Sequence, residues 1–205
     1  MPSQCMGDNH GMQATDHALG LRERKKIKTR QAIRREALRL IDDNGYAATT
    51  VEQIAEAAEV SPSTFFRYFP SKESVLLADD LDQLILDALA QVPADLPPIQ
   101  AFRRAYETVT AKMSEEQREF ENTRQRLIFS IPELKAAVYD EYYRTVTMIA
   151  EAVSRRTARD ASDFEVRVFA GALTGAMMAA NDGAPVTADL VYRTLDFIDA
   201  GMPLT

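Results

Sequence analysis

The chain has 205 residues, 46% of them hydrophobic and 27% charged, with a net charge of −7. This is the composition of an ordinary globular protein with room for one large domain or two small ones, and no apolar run approaches the ~18 residues of a membrane span. The single Cys5 cannot form an internal disulfide, and the N-terminus lacks an apolar export segment, so the cytoplasm is the expected location.

Residues 1–20 show no periodicity and are expected to form a disordered tail. Cys5, His10 and His17 lie there without a fixed ligand spacing, so no metal or other cofactor is expected. The first helix is predicted over 22–44. Its apolar positions Ile33, Ala37, Leu40 and Ile41 follow helical spacing, and Gly45 ends it. Its first half, "RERKKIKTRQAIRR" at 22–35, holds eight Lys/Arg against one Glu. A one-signed basic stretch in an acidic protein points to a polyanion rather than to a salt-bridged surface.

A second helix is predicted from Thr49 or Thr50 to about Ala58, opened by the pairs Thr49–Glu52 and Thr50–Gln53. Next comes "VSPSTFFRYFPSKESV" at 60–75. Ser61 reads as an N-cap, Pro62 as the first helical residue, and Pro70 as a stop, which leaves a helix of about two turns. A helix that short needs outside support. Phe65 and Phe69, one turn apart, are the expected anchors, with Phe66 and Tyr68 partly exposed.

A fourth helix is predicted over 71–91, followed by the Pro-rich link 93–98. Further helices are expected at 99–113, at 115–129 behind the pair Ser114–Gln117, and from Pro132 to Arg159. The last two are expected from Ser162, paired with Glu165, to Asn181, and from Thr187 to Ala200, with 181–187 as the break. The sum is an all-α chain of nine helices.

Helices two and three, joined by a tight turn, form a helix-turn-helix. In that motif the second helix enters the DNA major groove tip first. Ser61, Ser63 and Thr64 give that tip small hydrogen-bonding groups, and Pro62 beside them is a further DNA-contact candidate. The basic first helix would meet phosphates, with Lys28 and Arg30 as candidates, and Lys72 behind the motif as a third.

The run "TRQAIRREALRLIDDNGYAATTVEQIAEAAEVSPSTFFRYFPSKESVL" resembles the DNA-binding domain of the TetR family of bacterial transcriptional repressors, over about residues 27–87. The resemblance implies a two-domain architecture. A head at 21–70, with its helix-turn-helix at 50–69, would precede a ligand-binding and dimerisation domain at 71–205. It implies DNA contacts from Thr50, Ser61, Ser63, Thr64, Phe66, Tyr68 and Lys72. Two departures stand out: Phe66 where many members carry Tyr, and Glu59 in the turn where many carry Gly.

It further implies a homodimer on a palindromic double-stranded operator, released by a small-molecule effector. An activator, or a regulator without a ligand, is the alternative. Effector candidates are Phe102, Tyr106, Phe120, Arg124, Phe129, Tyr139, Tyr142 and Met177. A buried Arg124 would need an acidic partner or an anionic ligand. The dimer is expected from Phe169, Ala172, Leu173 and Ala176 of helix eight and Val191, Leu195 and Ile198 of helix nine. Gly171 and Gly175 beside that stripe imply close approach of another helix, from the same chain or, as expected here, from a second copy. No His follows residue 17, and no nucleophile–base pair or phosphate loop is visible, so no enzyme is expected.

Overall fold

The computed structural model describes residues 20–78, 80–181 and 187–204, all helix and connection with no strand among them. The tail with Cys5, His10 and His17, and most of the 181–187 break, lie outside the described residues.

The long basic helix α1 spans Leu21–Asn44, and Gly45 closes it with φ 86° and its N–H on the Ile41 carbonyl. Helix α2, Val51–Ala57, opens on a reciprocal cap: Thr50 Oγ1 accepts from the Gln53 N–H while the Gln53 side chain accepts from the Thr50 N–H. Helix α3, Pro62–Tyr68, starts as its sequence dictates, with Ser61 Oγ accepting from the Thr64 N–H and Pro62 at the first position.

The turn between α2 and α3 is a Schellman closure, in which the Val60 N–H reaches the Ala55 carbonyl at 2.9 Å and the Glu59 N–H the Glu56 carbonyl at 3.0 Å. Glu59 therefore sits at φ 54°, a position that favours glycine.

The predicted fourth helix is broken into two segments, α4 (Lys72–Leu77) and α5 (Asp80–Leu89). Ala78 leaves the helical region at ψ 104°. The cause is distant, since arginines from α1 and from a later helix take the carbonyls at the break (below).

The remaining helices are α6 (Pro98–Thr110), α7 (Glu115–Ser130), α8 (Lys135–Thr157, after a 3-10 turn at Pro132–Leu134), α9 (Phe164–Asn181) and α10 (Ala188–Asp199). Ser114 with Gln117 and Thr187 cap α7 and α10 as expected. Ser162 does not cap α9. Its hydroxyl donates to the Asp160 carboxylate at 2.6 Å, and Asp163 accepts from the Glu165 N–H at 2.9 Å instead.

Three apolar clusters organise these helices. The head cluster joins Ile33 and Ala37 of α1, Ile54 and Ala55 of α2, Phe65 and Phe69, and Val75 of α4. Phe65 and Phe69 are fully buried with ring centroids 6.0 Å apart, so α3 is held by the two rings expected to anchor it. A junction cluster joins Leu38 and Ile41 of α1, Leu76 of α4, and Leu127, Ile128 and Ile131 at the end of α7. The largest cluster lies among α5, α6, α8, α9 and α10. Adjacent residues of α4, Val75 and Leu76, thus belong to different cores.

Replacing Glu59 by Gly should remove the left-handed strain at the turn. We expect Glu59→Gly to raise the unfolding free energy by about 0.5–1 kcal/mol in urea titrations followed by circular dichroism.

Candidate nucleic-acid interface and core cavity

The tip of α3 is exposed at Ser61, Pro62 and Ser63 and half-buried at Thr64. Ser61 Oγ lies 2.9 Å from Ser63 Oγ and donates to Thr64 Oγ1 at 3.0 Å, so three hydroxyls form one network at the end that faces solvent. Phe66 is 51% exposed and packs edge-on against Phe65. Tyr68 is half-buried beneath the Arg67 guanidinium, 5.5 Å from its ring. Arg67 is exposed on α3; as a lone cation inside an aromatic run it carries no sequence signal of its own.

Thr50 is exposed, with its hydroxyl accepting the α2 cap bond, and Lys28 is exposed on α1. Two other basic candidates are engaged by the protein itself. Arg30 Nη1 lies 2.7 Å from the Asp80 carboxylate, and its guanidinium stacks over Phe69 at 5.2 Å. Lys72 Nζ donates to the carbonyls of Tyr46 and Thr49 at 2.6 and 2.8 Å and sits 3.9 Å from the Tyr46 ring. Lys72 therefore clamps the loop that leads into α2.

Beside it the Tyr46 hydroxyl donates to the Glu73 carboxylate. Burial, then the hydrogen bond to Glu73, pushes the Tyr46 hydroxyl up, and the Tyr46 bond, followed by one from Ser71, holds the Glu73 carboxyl below the usual carboxylate range.

The break after α4 is held by a chain of charges. Arg34, 5% exposed on α1, donates to the Ala78 carbonyl at 2.6 Å and to Asp80 at 2.6 Å, and lies 3.5 Å from Glu121. Burial lowers its pKa, and the Asp80 and Glu121 charges oppose that shift. Arg124, 3% exposed on α7, donates from Nε to Glu121 at 2.6 Å and from Nη1 to the Leu76 carbonyl at 3.2 Å. Of the two partners that a buried Arg124 calls for, the structure supplies the acid.

Arg124 also lines a cavity of about 280 Å³ bounded by α5 to α10 and by Leu77 at the end of α4. Phe102, Tyr106, Phe129, Tyr142 and Met177 line it too, and burial pushes the Tyr106 hydroxyl up. Two expected lining residues lie elsewhere. Phe120 packs under the Arg34 guanidinium at 5.0 Å, and Tyr139 is 59% exposed, stacked on Tyr142. Asp82, Gln125 and Glu141 line the cavity without having been singled out, because single polar residues on amphipathic helices carry no local signal.

Most of the stripe expected at a partner subunit is turned into its own chain. Leu173, Val191 and Leu195 are buried and line the cavity, Phe169 packs on Phe102 at 6.3 Å, and Ile198 packs on the large core. Ala172 and Ala176 are half-buried. Gly171 and Gly175 leave room for the Tyr142 hydroxyl, which a Cβ would meet at 3.7 and 4.0 Å. The close approach that their presence implied is therefore internal, between α9 and α8. What α9 and α10 expose instead is Phe164 (78%), Val168 (51%) and Phe197 (41%).

A two-domain helical fold with an exposed helix-turn-helix defines a DNA-binding transcriptional regulator. Residues 33–78 match the family model of bacterial regulatory proteins of the tetR family, and residues 96–203 match that of the MftR C-terminal domain. The chain belongs to the TetR family. It is 45% identical to TcmR of Streptomyces glaucescens over 108 residues, 52% of this chain and 48% of that one. The chain thus spans about half the length of that relative, but 93% of MftR of Mycobacterium tuberculosis, a candidate regulator of mycofactocin biosynthesis, at 26% identity over 87% of this chain. Among solved structures it resembles Thermus thermophilus FadR, a TetR family repressor in complex with lauroyl-CoA, with a TM-score of 0.53, 24% identity and coverage of 86% of this chain and 96% of that one. That likeness speaks to the fold. No described helix is long and apolar enough to cross a membrane.

Two measurements check the clamp. Lys72→Met should lose about 1–3 kcal/mol of stability in the absence of DNA, because two charge-assisted bonds to carbonyls disappear. The Glu73 contribution, its folded pKa being lowered, is complete above the unfolded value of about 4.3 and lost as pH falls through the folded one. Glu73→Gln should therefore flatten the acid limb of a Tm–pH curve below that value while lowering Tm near neutrality.

Proposed function

We propose that this protein is a homodimeric transcriptional repressor of the bacterial cytoplasm, which reads a palindromic operator with α3 and releases it when a small molecule occupies the core cavity. One observation carries the reading: Arg124, a wall residue of the cavity, also holds the Leu76 carbonyl at the end of α4, and α4 supplies Val75 to the reading-head core. An occupant that shifts Arg124 acts on the support of the head. Only an occupant with different affinity for the two arrangements drives release.

On DNA, Ser63 and Thr64 meet base edges, and Thr50, Tyr68, Lys28 and Arg67 meet phosphates. Lys72 keeps one N–H for a phosphate beyond its two carbonyl bonds. Arg30 stays with Asp80. Phe66 offers no hydroxyl and serves as an apolar contact. Two reading helices are required, since each alone covers few base pairs.

The second copy docks on the exposed apolar face of α9 and α10, with Phe164, Val168 and Phe197 joining Ala172 of the expected stripe in a four-helix contact. Three exposed large apolar side chains on two adjacent helices support this.

Mobility shift with DNA from the neighbouring promoter tests the reading. A specific complex with dimer is expected at moderate salt, and its absence with well-folded dimer overturns the proposal. Arg67→Ala should reduce the slope of log K against log[salt] by about 1. Val168→Glu should yield a folded monomer by light scattering, with operator affinity down at least about 100-fold.

A further inference from the structure

If the core cavity is the effector site, as proposed above, its lining restricts what enters. Each ionised side chain in the wall is already engaged. Arg124 is bound to Glu121 at 2.6 Å and to the Leu76 carbonyl, Asp82 accepts from the Thr145 hydroxyl at 3.2 Å, and Glu141 pairs with Arg144 at 2.7 Å. The wall carries two carboxylates and one guanidinium. An anion has no surplus positive charge to meet. It would have to take Arg124 from Glu121, whose side chain is only 13% exposed and whose other cation, Arg34, stands off at 3.5 Å. Leaving such a carboxylate without its close partner is strongly unfavourable. A cation would have to share Asp82 with the Thr145 hydroxyl, or Glu141 with Arg144, whose own charge repels it.

One fully buried polar atom in the wall is unmet. Gln125 Oε1 is buried with no hydrogen-bond donor. A buried acceptor in that state carries its desolvation cost uncompensated, and a ligand donor relieves it. Most of the remaining wall is apolar or ring-bearing, with Phe102, Phe129, Tyr106 and Tyr142. Since a cavity of ~150 Å³ takes one benzene ring, about 280 Å³ holds two fused rings with a substituent.

We infer that the effector is an uncharged, ring-bearing apolar molecule that donates one hydrogen bond, from a hydroxyl or amide, to the Gln125 carboxamide, and that anionic ligands are disfavoured. The test is calorimetry on the protein without DNA, with four probes of one size: 2-naphthol, 2-methoxynaphthalene, naphthalene-2-carboxylate and 2-naphthylmethylammonium. At pH 7 2-naphthol should bind tightest, by about tenfold over its methyl ether, which lacks the donor. Gln125→Leu and the more flexible Gln125→Met should bring those two probes level.

Tightest binding of the carboxylate or the ammonium, no binding of any probe, or a naphthol preference that survives in both variants overturns the inference. Because no DNA is present, that failure leaves the operator assay standing, and a failed operator assay leaves this ranking standing.

Discussion

Two buried arginines hold the molecule together where its two halves meet. Helix α4 stops at Leu77, and the turn at Ala78 deprives the last carbonyls of the amides that a continuing helix would supply. Arg124 and Arg34 replace those amides at Leu76 and Ala78. Each guanidinium is buried, so each needs a carboxylate, and Glu121 and Asp80 provide them. Breaking such a network by removing one member costs about 3–5 kcal/mol, because the remaining charge is left buried without a partner. An arrangement of this kind does not deform gradually. It is either complete or rearranged, which is the property a switching element needs.

The reading head divides labour along one short helix. Seven residues cannot remain helical alone. Phe65 and Phe69 provide the support from inside, while the hydroxyl-bearing tip stays outside. The loop ahead of α2 is fixed as firmly, by Lys72 on two carbonyls and by Thr49 Oγ1 on the carbonyls of Leu40 and Gly45. A rigid frame with polar tips reads DNA at low entropic cost, since little is left to order on binding. The strained Glu59 sits in the middle of this frame and spends stability there.

What the sequence disclosed follows from how far its signals reach. Caps are local, so Thr50 with Gln53, Ser61 with Pro62, and Ser114 with Gln117 were readable at sight. Ring spacing within one turn identified Phe65 and Phe69. The break at Ala78 was not readable, because no Gly or Pro marks it and its donors lie 44 and 48 residues away. Positive charge was legible in α1, but not its use. Arg30 and Arg34 spend theirs on Asp80, while Lys28 remains at the surface. The same limit applied to the cavity, where rings advertised themselves and Gln125 did not.

Helix α9 shows why a stripe alone cannot name its partner. Apolar residues surround it: Leu173 and Met177 on the cavity side, Val166 and Ala170 in the core, Phe164 and Val168 in solvent. Periodicity selected the inward stripe because it is the more regular one, and its glycines turned out to serve Tyr142. A helix that is apolar on every side is stable only when every side is covered. One side of α9 is covered by its own chain, so the uncovered side calls for a second surface. That surface and the cavity then lie on opposite faces of a single helix. In the proposed dimer, a shift of α9 in response to an occupant would move the cavity wall and the subunit contact together, and that contact would set the distance between the two reading heads.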